Sequence, residues 1–123
     1  MELIGYLTVA LKIIVGVSIL NVWLLRKNKA TQWRGGDATT IVQEFERYGL
    51  PKWSYHVIGF IKIIGAIGLF VATWVPELTQ PSASILAVLL LGSISMHLKI
   101  KDPFIKSLPA LSFFIICLTI LFF

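Results

Sequence analysis

The stretch GFIKIIGAIGLF, residues 59–70, is apolar except for one residue, Lys62. A second stretch, TVALKIIVGV (residues 8–17), repeats the pattern around Lys12. A run of this kind is either the core of a large soluble protein or a membrane span. The chain has only 123 residues, enough for a single domain over 1–123. It is 57% hydrophobic and 14% charged, with a mean hydropathy of +0.86. Soluble chains are about 45–50% apolar and about 25% charged, so the membrane reading holds.

A bilayer core needs about 20 mostly apolar residues in a helix. Four segments qualify: Leu3–Leu25, Ser54–Val75, Ser82–Ile100 and Phe104–Phe123. Each must be helical, because lipid offers no partner to backbone amides. The first lacks a basic leader and a small-residue cleavage pattern, so it reads as a span rather than a signal peptide. The expected fold is all-α: a four-helix transmembrane bundle.

Lysine and arginine in short loops set orientation. Arg26, Lys27, Lys29, Arg34, Arg47 and Lys52 follow the first span, and Lys99, Lys101 and Lys106 follow the third. The opposite side, including 76–81, carries none. The cationic side is therefore expected to be cytoplasmic and both termini to face outward, with a bacterial inner membrane as the expected location. Trp23 and Trp53 on one side, and Tyr6 and Trp74 on the other, suit the two aromatic belts. The net charge of +5 is explained by this loop bias. No basic stripe with interleaved aromatics indicates nucleic acid.

The one long connection, 26–53, contains DATTIVQEFERYGLP. It reads as a short amphipathic helix at about 38–48 on the cytoplasmic side. Asp37 is its expected N-cap, Ile41, Phe45 and Tyr48 share a face, and Gly49 with Pro51 stops it. Its apolar face should lie on the membrane surface or against the inner end of the bundle, as a plain interfacial helix, a lid or a docking surface. QWRGG before it suits lipid phosphates. Pro109 is expected at the start of the fourth span or as a bend within it.

Lys12 and Lys62 each lie about nine residues from the nearer span end, roughly 14 Å from the interface. Their side chains reach only part of that way, and a central cation costs at least ~2.5–3.5 kcal/mol. Every acid falls at a span end or in a loop, so neither lysine has an evident counter-ion. Helical projection groups Gly5, Thr8, Lys12, Gly16 and Trp23 on span one, and Tyr55, Gly59, Lys62, Ala66 and Thr73 on span two. Both are small, weakly polar faces suited to helix packing. If the faces meet, two amines share the bundle interior. Three readings follow: bonding to backbone carbonyls and water, a ligand or proton-handling site, or a counter-ion on a partner protein. The candidate ligand-binding residues are Lys12, Lys62, Tyr55, Thr8 and His97.

Other chemistry is sparse. His97 stands one turn before the inner end of span three and His56 at the start of span two. Two histidines without a neighbouring carboxylate or cysteine make a poor metal site, and no metal is expected. Asn21, Ser18 and Ser95 read as interhelical hydrogen-bond glue. Cys117 is single and allows no internal disulfide. No nucleophile–base pair exists to suggest a stand-alone enzyme, and a proton-coupled transporter would need an acid within a span.

LKIIVG, EFERYGLPKW, GFIKIIGAIGL, LLLGSISMHLKIKDP and KSLPAL together resemble the DoxX-like family of small four-helix membrane proteins. The resemblance rests on YGLP, G-x-x-K-x-x-G-A and H-x-K-x-x-D-P taken jointly. It implies the bundle but not one activity. Relatives include a subunit of a thiosulfate–quinone oxidoreductase, proteins linked to oxidative-stress complexes, and assembly factors of membrane receptors. Lys62 and His97 match recurrent polar positions of that pattern. The chain lacks a cysteine pair, which argues against a thiol relay. The expected function is to bind a small amphiphile, a quinone or a lipid, as an accessory subunit of a membrane redox complex. The rival is a structural or assembly subunit of a larger membrane protein complex. Membrane lipids are the expected surroundings in either case.

Overall fold

The computed structural model describes residues 2–25 and 34–122. The loop cations Arg26, Lys27 and Lys29, the first residues of QWRGG, and Phe123 lie outside the described residues. Among the described residues there are five α-helices: α1 (Glu2–Leu20), α2 (Ile41–Arg47), α3 (Lys52–Val71), α4 (Thr79–Lys99) and α5 (Leu108–Phe122). Among them, four helical stretches are long and apolar enough to cross a membrane: Gly5–Leu25, Lys52–Val71, Pro76–Lys99 and Phe104–Phe122. The chain is an all-α, multi-pass integral membrane protein.

Several boundaries differ from the sequence reading for local reasons. Span one ends in a wider π-helical turn, Asn21–Leu25. Span two starts two residues early, since Pro51 is its N-cap, and it ends at Val71, with turns over the next residues. Span three is led by a 3₁₀ turn at Pro76–Leu78, so Pro81 sits within the first turn of α4. A second 3₁₀ turn, Phe104–Ser107, precedes α5. Pro109 is therefore the second residue of α5. It starts that helix and does not bend it, because its missing N–H falls where a helix has no internal acceptor for one.

The four long helices form a ring: α1 on α3, α3 on α4, α4 on α5, and α5 back on α1. Their shared core is Val15, Ile19, Ala66, Leu69, Leu86, Leu90, Cys117 and Ile120, all buried. Small residues set the close approaches. A Cβ on Gly16 would stand 2.9 Å from the Ala66 carbonyl oxygen, and one on Gly68 2.4 Å from Ser82 Oγ. Large apolar side chains such as Phe60, Ile64, Val88 and Leu98 point outward and are exposed. That inversion costs a soluble protein dearly and a lipid-solvated one nothing. Trp53, Tyr6 and Trp74 are also exposed, as aromatic belts require, but Trp23 is buried.

The short helix α2 is drawn into one end of the ring. Ile41, Phe45 and Tyr48 are all buried, so its apolar face rests on the bundle rather than on a membrane surface. Its N-cap is Thr40, whose hydroxyl accepts from the Gln43 amide at 3.1 Å. Asp37, three residues too early to cap, instead pairs with Arg47. The helix stops as expected: Gly49 adopts φ +79°, and the Leu50 amide reaches back to the Phe45 carbonyl at 3.1 Å, a closure that favours glycine.

Candidate functional site

Where α2 meets the ring, the helices splay around a cavity of ≈ 470 Å³. The π turn at the end of span one turns Trp23 inward onto Gly59. A Cβ at Gly59 would lie 2.6 Å from the Trp23 ring, so only glycine admits this packing. Tyr55 stacks on Trp23 at 5.6 Å, and Phe45 from α2 meets it edge-on at 6.1 Å. Lys62 Nζ stands 5.3 Å from the centre of the Trp23 ring and donates to Ser93 Oγ on α4 at 3.3 Å. The electron-rich indole face and the hydroxyl both favour a cation there.

The cavity is apolar over most of its wall and polar at the end closed by residues 34–50. Lys62, Glu44, Tyr48 and His97 all border that end. Glu44 comes from α2 and borders the same cavity as Lys62. The intramembrane lysine therefore faces an acid that no span supplies. The Tyr48 hydroxyl donates to Glu44 Oε1 at 2.9 Å, while Glu44 Oε2 accepts from the Gly35 amide at 3.0 Å. Burial, followed by the Glu44 charge, pushes the Tyr48 phenol well above its ordinary range. It is a neutral donor at any physiological pH.

Beyond Tyr48 the chain of polar groups continues. Tyr48 Oη lies 3.4 Å from His97 Nε2, and His97 Nδ1 lies 2.7 Å from Asp102 Oδ2. A carboxylate can only accept, so Nδ1 carries a proton. In the neutral ring Nε2 is then an acceptor. The single phenolic proton of Tyr48 stands between two bases, Glu44 and His97. The arrangement can hold a proton and pass it between the cavity and the Asp102 end.

The same contacts fasten the 34–50 segment down. The Gly36 amide donates to Asp102 Oδ1 at 3.0 Å. Lys106 donates to the Gly36 carbonyl at 2.5 Å, and Lys99 to the Tyr48 carbonyl at 2.9 Å. Asp102 is brought back under His97 by the way α4 ends. Lys101 takes φ 58°, and the Asp102 amide bonds the His97 carbonyl at 3.0 Å. This is the closure usually made with glycine, here carried by a lysine.

The five sequence-derived candidates divide. Lys62 and His97 border the cavity; Lys12, Thr8 and Tyr55 are not part of its lining. Tyr55 buttresses Trp23 from behind. Thr8 donates to Gly5 O on its own helix at 2.9 Å. The antiparallel register sets Gly16 against Ala66 and Phe70, and Trp23 against Gly59. Lys12 is thus level with the end of α3, roughly 13 Å along the axis from Lys62. The two amines do not share one site.

Other expectations also change. His97 does have a carboxylate beside it. Ser95 bonds Leu91 O on its own helix and is not interhelical, whereas Ser93 does reach across. Glu44, Tyr48, Trp23, Arg34, Asp102 and Lys106 were missed as site residues. The available signal was the co-occurrence of E-x-x-x-Y-G-L-P with H-x-K-x-x-D-P: these two motifs face each other. Among the described residues, no cluster of His, Cys, Asp and Glu has the makings of a metal site.

No curated protein and no solved structure matches the chain. A family model described as the DoxX-like family matches residues 33–121, a span that holds the 34–50 segment, α3, α4 and all but the last residue of α5 and leaves out α1. With the larger part of the chain matched, including both motifs that meet at the cavity, this protein belongs to the DoxX-like family.

Proposed function

We propose that this protein binds a small amphiphile of the quinone or lipid class in the cavity beneath residues 34–50, as an accessory to a membrane redox complex. The cationic end bearing that segment faces the cytoplasm, by the loop bias of lysine and arginine. One observation carries the reading. An apolar cavity of ≈ 470 Å³, within the range of small-molecule sites, ends in a convergent set of polar side chains, Lys62, Glu44, Tyr48 and His97. An amphiphile matches that polarity: headgroup at the polar end, chain along the apolar wall. Val88 and Gly92, both on the exposed side of α4, also border the cavity and give the chain a way out to lipid.

The rival reading, an assembly subunit working by helix contact, calls for small-residue stripes turned outward. Gly65 and Ala66 are instead buried and Gly68 is half-buried, spent on contacts with α1 and α4.

The test is gentle extraction followed by native mass spectrometry and solvent extraction of the co-purified material. Wild type and Lys12→Met are expected to retain one amphiphile per chain, and Lys62→Met to lose it. Equal retention by all three removes the proposal.

A further inference from the structure

Resting on that reading of the cavity, we propose that its ligand is an amphiphile with an oxyanion headgroup, a phosphate or carboxylate, rather than a neutral quinone. Three cations from three separate elements border the one cavity: Arg34 ahead of α2, Lys62 on α3 and Lys106 just before α5. Arg34 and Lys62 are buried, and the Lys106 side chain is only 20% exposed. Glu44 is the carboxylate among the lining residues. It offsets one of the three charges. Asp102 lies 4.0 Å from Lys106 but is engaged by His97 at 2.7 Å. Counting Asp102 in full against a neutral His97 still leaves the site with a positive charge.

Gathering buried cations around an apolar void is costly unless a counter-charge joins them. The donors are also available. An ammonium has three N–H groups; Lys62 places one on Ser93 and Lys106 one on the Gly36 carbonyl. A quinone carbonyl would accept hydrogen bonds here but return no charge. An oxyanion does both. The wall beyond, with Val22, Leu89, Ala110 and Phe113, is apolar and leads to Val88 and Gly92. A Cβ at Gly92 would meet no atom within 4 Å, so α4 leaves room there for a chain.

The test uses the full chain in phosphatidylcholine nanodiscs doped, in separate arms, with equal mole fractions of phosphatidylglycerol, oleate or a long-chain ubiquinone, with a further arm of inorganic phosphate alone. Bound species are counted by native mass spectrometry. Phosphatidylglycerol or oleate is expected at one per chain, enriched about tenfold over phosphatidylcholine, a difference worth about 1.4 kcal/mol. Lys62→Met is expected to abolish the enrichment. A Lys52→Met/Lys101→Met variant, which removes exposed cations only, is expected to keep it. Gly92→Phe retains every charge and narrows the exit, and it too is expected to lower retention. Gly92→Phe keeps the idea falsifiable should Lys62→Met misfold, since undiminished retention there would overturn it.

Selective retention of ubiquinone would overturn the oxyanion and leave the cavity reading standing. Retention of no probe would end both. Phosphate binding without any lipid preference would overturn the amphiphile. Loss of enrichment in the Lys52→Met/Lys101→Met variant would reduce the effect to surface attraction and overturn the assignment.

Discussion

Replacing Asp102 by alanine should release the 34–50 segment without unfolding the bundle. Asp102 accepts from His97 Nδ1 at 2.7 Å and from the Gly36 amide at 3.0 Å. A hydrogen bond to a charged group contributes about 1.5–3 kcal/mol, less where it is exposed. The His97 bond stays within the end of α4, where both side chains are 6% exposed, and orients the carboxylate; the Gly36 bond is the one of the two that crosses to the segment, and Gly36 is exposed. It holds the segment by about 1–2 kcal/mol. Its loss should raise the population of the detached segment by about 5- to 30-fold. The contacts within the ring do not involve Asp102, so the spans should keep their protection. Hydrogen exchange read by mass spectrometry in nanodiscs is the assay. Peptides covering Tyr48 and Leu50, whose amides bond Glu44 and Phe45 carbonyls, should exchange faster in Asp102→Ala, and peptides from the middle of α3 should not. Unchanged exchange over 34–50 would refute the clamp. Uniform acceleration through α3 would show that Asp102 supports the whole bundle and refute the separation of lid from ring.

Lys101→Gly should stabilise the end of α4 by about 1 kcal/mol, because φ 58° is unfavourable for a side chain and open to glycine; a rise in thermal midpoint in detergent checks it. Gly59→Ala should destabilise by about 1–3 kcal/mol through overpacking, since its Cβ would stand 2.6 Å from Trp23; a shift in tryptophan emission should accompany the lowered midpoint. Tyr48, held in its neutral form by burial, contributes stability that is complete below the ordinary tyrosine value of 10.0 and is lost as pH rises past it. The segment should therefore open in alkali, with tyrosinate absorbance appearing together with faster exchange, and Tyr48→Phe should abolish that pH dependence. Asp37 carries the opposite sign: its bond to Arg47 lowers its pKa, so that contact weakens only as pH falls toward and below 3.8, the ordinary value for the group.

The spans were legible because lipid imposes a length and a polarity on every one of them, and the structure moves their ends by only a few residues. The ends moved where backbone chemistry, not hydropathy, decides. Pro51 can cap a helix that composition would start at Ser54, and a proline second in α5 is tolerated that mid-helix would kink. Thr40 rather than Asp37 caps α2 because the cap must lie three residues before the amide it receives, and Gln43 is that residue. The pairing of Lys12 with Lys62 failed for a different reason. Projection around a helix gives the direction of a side chain but not its height, and height depends on the register between α1 and α3. Gly16 and Gly59 set that register through contacts no single-helix pattern contains. Trp23 was assigned to the aromatic belt on position alone. The wider turn at Asn21–Leu25 rotates it inward.

The acid opposite Lys62 could not be found by searching spans, since it does not reside in one. A carboxylate built into a transmembrane helix would have to cross the bilayer during insertion at a cost of several kcal/mol. Carried on α2, Glu44 belongs to none of the spans and reaches the cavity because residues 34–50 cover that end of the ring. The apolar face of α2 makes the delivery favourable, since Ile41 and Phe45 become buried as Glu44 arrives. The closing contacts then come from the far side of the same end, where His97, Lys99, Asp102 and Lys106 receive Tyr48 and Gly36. A membrane bundle thereby holds a buried polar network of the kind usual in soluble proteins, and holds it at the end of the ring where a segment outside the spans meets a lysine within one.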